Sequence, residues 1–226
     1  VAPIPVHLAG AVEAIADNYV FGKHDCEQIG VYASNLVPGE RVVLTEKLHG
    51  SQLVAFLDRK TGYRFVTSKG FLDKGQCLVE GDGKNAYWRA SAILWPLMEQ
   101  FGPEDQVQVF GELVPCQGGA WTYGFKDPTV RVFDVRVNGK QLPYDQLGEW
   151  QDQWRMIWVP VLYDGHYDEA QARSHREGLE QVTGKGQHIR EGAVLRPYID
   201  RRASDGTRLA LKIINPAYKE TGEEFN

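Results

Sequence analysis

From Arg41 onward the chain is a succession of short β-rich runs, and several carry a lone charged residue inside an otherwise apolar stretch. RVVLTEKL, QLVAFLDR and YRFVTSKG come first, punctuated by Gly50–Ser51 and Lys60–Thr61–Gly62. Their β-branched content and turn residues predict an antiparallel meander. VQVFGELV and TVRVFDVRVNGKQL follow as two more strands, the second holding Asn138–Gly139, a strong hairpin signal. IREGAVLRPY and TRLALKIIN close the series across a polar loop at Arg201–Thr207. A charge buried alone in a strand is costly. Several such charged residues in one chain suggest a polar cleft between sheets.

The helical segments are fewer. NAYWRASAILWPLMEQF has apolar residues at helical spacing, with Pro96 as the expected break and Trp88 and Trp95 on one face. A Trp-rich helix is predicted over Tyr144–Trp154, then an apolar strand over Met156–Leu162, then an amphipathic helix over DEAQARSHREGLEQV. A short helix is expected near Val12–Asn18. Strands therefore outnumber helices, which predicts an α+β fold of antiparallel β-sheets flanked by helices. No linker or repeat interrupts residues 41–226, so that span reads as one domain preceded by a lead-in segment, residues 1–40.

Bulk properties narrow the function class. With 42% hydrophobic and 24% charged residues the chain has an ordinary globular composition. No apolar stretch approaches the roughly 20 residues that span a bilayer, and VAPIPVHLAG lacks the features of a secretory signal. Without an initiator Met, the chain is expected to be a processed or excised piece. Cys26, Cys77 and Cys116 are odd in number and widely spaced, which disfavours a disulfide framework or a zinc site and predicts an intracellular, cytoplasmic protein. The six histidines have no metal-ligand spacing. A net charge of −5 argues against a protein that coats nucleic acid, though not against one local basic groove. The basic bunch RPYIDRRASDGTR reads from charge alone as a solvated loop.

The chemistry concentrates on Thr45-Glu46-Lys47-Leu48-His49-Gly50-Ser51. Alone, a Lys–x–x–Gly string is common and marks a surface lysine. Here it is followed in order by Thr67-Ser68-Lys69-Gly70, Phe110-Gly111-Glu112-Leu113, Val132-Phe133-Asp134-Val135, Glu191-Gly192-Ala193-Val194-Leu195 and Leu211-Lys212-Ile213-Ile214-Asn215-Pro216. This ordered set resembles the covalent nucleotidyltransferase superfamily of polynucleotide ligases and messenger-RNA capping enzymes. EKLHGS, VFGEL, RVFDV, EGAVLRP and LKIINPAYKE are most similar to the nick-sealing RNA ligases. NAYW and NPAY add a likeness to the Deinococcus-type branch.

The resemblance implies an ATP-grasp-like ligase domain with the nucleotide in a cleft between sheets, and ATP with Mg2+ or Mn2+ as cofactors. It makes Lys47 the nucleophile that becomes lysyl-AMP. A free lysine, of pKa about 10.4, is protonated at neutral pH, so nearby positive charge or desolvation must free its amine. A divalent cation would do this and neutralise phosphates, and magnesium suits oxygen ligands; Glu112 and Glu191 are the carboxylates expected around it. Glu46 is implied in recognising the adenine edge, Gly50 in the turn beside the nucleophile, and Phe133 in stacking on the base. Lys69 is implied at the ribose or α-phosphate, Glu112 also at the ribose, and Lys212 at the α-phosphate, where a fixed cation stabilises the transition state. His49 reads either as an aid to pyrophosphate departure or as a hydrogen-bonded turn residue. The tryptophans read as core rather than as a base-stacking platform, except Trp121 in the Gly118–Gly124 segment, whose exposure is left open.

Three positions depart from the family pattern. Lys69 stands where many relatives have Arg, Gln52 where several have Asn, and Lys212 lacks a second lysine close by, being followed by Ile213 and Ile214. The implied partner is nicked or broken RNA, as an RNA–RNA or RNA–DNA duplex, sealed by a monomer, with a flanking nucleic-acid-binding domain outside this chain. A DNA ligase or GTP-using capping enzyme, and a catalytically silent binding homologue, remain as alternatives. Labelling with ATP against GTP and sealing of RNA against DNA nicks separate the first two, and nick binding without sealing would mark the third.

Overall fold

A computed structural model of the chain describes residues 2–16, 19, 21–115 and 121–218. Among these lie twelve strands: β1 (Val12–Ala14), β2 (Glu27–Gln28), β3 (Arg41–Lys47), β4 (Ser51–Asp58), β5 (Arg64–Ser68), β6 (Gln76–Leu78), β7 (Gln106–Val114), β8 (Thr129–Val137), β9 (Lys140–Gln141), β10 (Val161–His166), β11 (Gly192–Pro197) and β12 (Leu211–Ile214). The helices are short: α1 (Ile29–Tyr32), α2 (Lys69–Leu72), α3 (Ala86–Ser91), α4 (Trp95–Met98), α5 (Tyr144–Gln153) and α6 (Glu169–Ser174). The class is α+β, and every strand pair is antiparallel except β2 with β12.

The chain divides into two compact units. The first comprises Val1–His24, Gly50–Cys116 and Phe125–Leu142, and holds a seven-stranded sheet ordered β1-β6-β5-β4-β7-β8-β9. Val54, Phe56, Phe65 and Phe110 line one face and pack with Ile15, Leu72 and Cys77. Asn138 and Gly139 turn β8 into β9 with φ of 50° and 76°, the left-handed pair that a tight hairpin demands. Trp88 is buried and Trp95 half-buried, their rings 5.9 Å apart. Pro96 sits in the first turn of α4, where its missing N–H costs nothing, so the expected break falls just before it, between α3 and α4.

The second unit comprises Asp25–His49, Gln117–Gly124 and Pro143–Asn226. Its sheet is ordered β10-β3-β11-β12-β2. Val42, Leu44, Ala193, Leu195, Leu211 and Ile213 form its core with Ile29, Leu36 and Leu209. Each large aliphatic side chain removed from water there contributes about 1.5–3 kcal/mol.

Four sequence expectations are corrected. The meander starting at β3 does not form, because β3 belongs to the five-stranded sheet and β4 to the seven-stranded one. The apolar residues of each strand serve a different core, which a short Gly-containing connection cannot reveal. Val12–Ala14 is a strand paired with β6 rather than the start of a helix, and Asn18 lies outside the described residues. The strand expected over Met156–Leu162 begins its ladder only at Val161, with Met156 exposed and Trp158 and Val159 buried by packing. The helix expected over 168–182 stops at Ser174, since Gly178 takes φ 109° and Leu179 bridges Ile189. The predicted α5 and the closing strands β11 and β12 are present, and the segment before β3 supplies a strand to each sheet.

The basic bunch is also tied down rather than left to solvent. Arg201 forms an ion pair with Glu40 at 2.6 Å, Arg208 with Asp200 at 3.0 Å, and buried Arg196 lies over the Tyr144 ring. Cys77 is a buried free thiol, while Cys116 lies outside the described residues. Among the described residues no helix is long and apolar enough to cross a membrane.

Candidate active site

In the five-stranded unit, Lys47 ends β3, and Gly192 of β11 is its direct cross-strand partner. The residue just before β11 is Glu191, and Lys47 Nζ donates a hydrogen bond to its Oε1. Lys212 on β12 pairs with Val194, which in turn pairs with Thr45. Direct partners point to the same face and side chains alternate along a strand, so Lys47 and Lys212 share one face of this sheet. The register therefore places Lys47 and Lys212 on one face of the sheet, with Glu191 bonded to Lys47, from positions far apart in the chain.

Glu46 points to the opposite, core face, opposite Ala193. It is 2% exposed. Its Oε2 accepts a hydrogen bond from the Gln181 backbone N–H at 2.8 Å, while Oε1 is buried without a partner. Burial pushes this carboxyl from 4.5 up to about 7; the Gln181 N–H and the charge of Arg190 oppose that rise, and Glu180 adds to it. Glu180 in turn shapes the loop that presents Gln181. Its carboxylate accepts from Thr183 Oγ1 at 2.5 Å, from the Thr183 N–H at 3.1 Å and from the Gln187 N–H at 3.1 Å.

His49 is a hydrogen-bonded turn residue in a cluster of rings. Its N–H donates to the Tyr123 hydroxyl at 2.7 Å, and its Nδ1 lies 2.5 Å from the Tyr218 hydroxyl. Desolvation holds the imidazole below its ordinary value; Glu191 pulls it up, and Lys47 and His188 push it further down. Trp121 is buried rather than exposed, edge-on to His188 with ring centroids 4.6 Å apart. The residues 118–120 of that expected segment lie outside the described residues.

In the seven-stranded unit, Gln52, Glu112 and Arg131 are successive cross-strand partners on β4, β7 and β8, and so form one row on one face. Gly50 lies against this row: a Cβ there would fall 2.4 Å from the Leu113 carbonyl oxygen and 2.8 Å from Glu112 Cγ. Phe133 is half-buried against the Phe56–Phe110 core cluster. Lys69 opens α2 directly after β5 and is exposed. Gly50, Glu112, Phe133 and Lys69 thus belong to this unit, and Glu46, Lys47, Glu191 and Lys212 to the other.

Sequence reading missed Gln181, Glu180 and Tyr123, and quoted Tyr218 only as the end of NPAY, without a role. Each acts through a backbone group or a distant ring contact, and Gln181 is 135 positions from the Glu46 it serves. No local pattern could have found them. Among the described residues no cluster of three or more His, Cys, Asp or Glu forms a metal cage. The donors expected for a cation, Glu112 and Glu191, are carboxylates, which suits a hard ion that keeps most of its water and not zinc.

A family model described as RNA ligase matches residues 40–214. The chain belongs to the RNA ligase family. Its fold is similar to that of Naegleria gruberi RNA ligase with PPi, at a TM-score of 0.73 and 20% identity over 99% of this chain and 64% of that one. Mutant forms of the same ligase solved with ATP and Mn and with AMP and Mn are similar too, each at a TM-score of 0.71 and 20% identity. They are covered over 63% and 64% of their length, and 98% of this chain is covered in both. The chain thus spans a little under two thirds of the ligase it resembles. No curated protein sequence matches the chain. Membership of the RNA ligase family accounts for the order of the motifs, and the shared fold for the two antiparallel sheets.

Proposed function

We propose that this chain is the adenylyltransferase part of an ATP-dependent RNA ligase, with residues 41–226 as its adenylyltransferase domain and Lys47 as the nucleophile. The observation that carries this reading is the Lys47–Glu191 hydrogen bond at the end of paired strands β3 and β11, with Lys212 on the same face. An amine presented at a strand end beside a carboxylate, with a second cation nearby, is suited to attack on a phosphate ester. Naegleria gruberi RNA ligase, which shares the fold, has been solved with ATP, AMP and Mn.

In the first step the Lys47 amine attacks the α-phosphorus of ATP. The Nζ–P bond forms, the bond from that phosphorus to the bridging oxygen breaks, and pyrophosphate leaves. The amine's proton departs along its hydrogen bond to Glu191. Lys212 faces the α-phosphate and offsets the charge that develops on its oxygens. The uncompensated Oε1 of Glu46 accepts from the adenine amino group, a contact that guanine cannot offer. In the seven-stranded unit Phe133 supplies the stacking surface for the base, Glu112 the ribose contact and Lys69 a contact at the ribose or α-phosphate. Glu112 and Glu191 would hold Mg2+ or Mn2+, which neutralises phosphate charge and favours the free amine of Lys47.

The later steps use the same centre. A 5′-phosphate end displaces Lys47 from the AMP phosphorus, and a 3′-hydroxyl then attacks the 5′-phosphate and releases AMP. Nicked or broken RNA is the substrate on this reading, and the strings NAYW and NPAY favour the Deinococcus-type branch. The test is covalent labelling with α-labelled ATP and magnesium. Wild type becomes labelled and Lys47→Ala does not; an unlabelled wild type, or a labelled alanine variant, overturns the reading.

A further inference from the structure

Phe133 is the extra residue of a bulge in β8. Phe110 pairs with Asp134 and Gly111 with Val132, so Phe133 has no Cα partner on β7. Bulges re-aim a side chain, and the aim of a residue outside the ladder depends on what packs against its ring. At this bulge Phe133 packs against the core cluster of the sheet, and one further ring against it comes from the segment before the first motif. The His24 ring lies 4.9 Å from the Phe133 ring at 60°, and 5.5 Å from the Phe110 ring at 47°.

His24 is held on all sides. It is 6% exposed, and its Nε2 lies 2.8 Å from Oδ2 of fully buried Asp134, the residue next to Phe133. Asp134 Oδ1 accepts from the Val135 N–H at 3.0 Å, so the carboxylate is fixed to the bulged strand itself. The backbone leading into His24 is clamped as well. Gly22 N–H donates to Gln108 Oε1 at 2.9 Å, Gln108 Nε2 donates to the Gly22 carbonyl at 2.8 Å, and Gln52 Nε2 donates to the His24 carbonyl at 3.2 Å. A Cβ on Gly22 would land 1.1 Å from Arg136 Nη1, so a larger residue there would have to displace the Arg136 side chain. A buried imidazole–carboxylate pair is a poor source of stability, because desolvation of both groups offsets their attraction. Its value lies in fixing an orientation.

We propose that His24, oriented by Asp134, is a positioning residue that sets the tilt of the Phe133 ring for stacking on the adenine base. The inference rests on Phe133 being the base platform, as proposed above. It gives the segment before β3 a part in nucleotide affinity.

The experiment measures the ATP dependence of lysyl-AMP formation, with thermal unfolding in parallel, for wild type, His24→Phe, His24→Gln and Phe21→Leu. His24→Phe keeps a ring between Phe110 and Phe133 but cannot bond Asp134; His24→Gln restores a donor. Phe21→Leu loosens the same segment through its edge contact with Phe65, ring centroids 6.1 Å apart. A mis-set aromatic platform forfeits on the order of tenfold in affinity. His24→Phe should therefore raise the KM for ATP about tenfold with little change in the maximal rate, and His24→Gln should recover most of it. Phe21→Leu should lower the melting temperature without moving KM. An unchanged KM in His24→Phe, or an equal rise in Phe21→Leu, overturns the proposal. Should His24→Phe fail to fold, Asp134→Asn carries the same comparison. A wild type that takes no label overturns the ligase reading itself, which separates that failure from this one.

Discussion

Glu46 and Gln181 are joined by a single hydrogen bond, 2.8 Å from the backbone N–H to Oε2, while Oε1 of the same buried carboxylate has no partner. One oxygen is thus positioned by the protein, and on the proposed reading the other is the acceptor for the adenine amino group. The cost of that arrangement shows in protonation: burial lifts the carboxyl from 4.5 to about 7. Between those values the folded chain binds more protons at Glu46 than the unfolded chain does. Stability from this group is full below pH 4.5 and declines as pH rises to about 7, by about 3 kcal/mol in all. Glu46→Gln should flatten that part of the stability–pH curve in denaturant titrations. In the labelling reaction the KM for ATP should fall as pH rises through about 7, because the ionised carboxylate accepts from the adenine amino group more strongly than the acid does; the glutamine variant should lose that dependence. A wild-type KM that is flat across this range would contradict the assignment.

The Lys47–Glu191 pair leads to a different expectation, because it is only partly buried, with side chains 26% and 11% exposed. An ion pair so placed contributes about 1 kcal/mol at most to folding. Its weight should fall on the chemistry. Glu191→Ala should lower the rate of lysyl-AMP formation about 100-fold, the scale of losing one electrostatic contact to a reacting group, while moving the melting temperature by only a few degrees. A stopped-time labelling assay run beside calorimetry checks both parts. Loss of folding in proportion to loss of labelling would make Glu191 a structural residue.

Gly192 offers the converse case one position away. A Cβ there would sit 2.2 Å from the Ile213 carbonyl oxygen and 3.1 Å from Ile214 Cα, all backbone. β11 and β12 would have to separate, and overpacking of this kind costs about 1–3 kcal/mol or more. Gly192→Ala should shift the denaturation midpoint down in urea, and labelling should fall only as far as the folded fraction does. Normal stability in this variant would show that the two strands are not as tightly paired as their register indicates.

How much of this was legible in the sequence follows from the range of each interaction. The strands β4, β7, β8, β11 and β12 could be read because alternation and turn residues are local, and Asn138–Gly139 named its own hairpin. The division of β3 and β4 between two sheets could not, since a connection of three residues is compatible with a hairpin or with a change of sheet. Lys47, Glu112, Glu191 and Lys212 stood out through the ordered set of motifs and its resemblance to the ligases, while the cost of charge in apolar strands suggested only a polar cleft. Glu46 stood out only by adjacency to Lys47; its orphaned oxygen and its raised protonation depend on Gln181, Arg190 and Glu180, which no periodicity connects to it. His24 was invisible for the same reason, its meaning depending on Asp134, 110 positions later. The exposure of Trp121 could not be read from its glycine-rich surroundings, because the ring contacts with His188 and Tyr218 that bury it are distant in sequence.

Gly50 gives the sharpest test of the first motif's glycine. An added Cβ would meet the Leu113 carbonyl oxygen at 2.4 Å and Glu112 Cγ at 2.8 Å, with Glu112 Oε1 at 3.1 Å. The carbonyl belongs to β7 and cannot retreat without disturbing its ladder, but the Glu112 side chain can rotate away. Gly50→Ala therefore pushes aside Glu112, the carboxylate assigned to ribose and metal, while the Leu113 contact is relieved only by a shift of the turn itself. The expected outcome is a fall in lysyl-AMP formation of about 100-fold, since displacement of a catalytic contact by roughly 1 Å has that scale. The accompanying loss of stability should be about 1–3 kcal/mol. If Glu112 is the route, Glu112→Ala combined with Gly50→Ala should label no more slowly than Glu112→Ala alone. Additive losses in the double variant would show that the glycine acts on something other than Glu112.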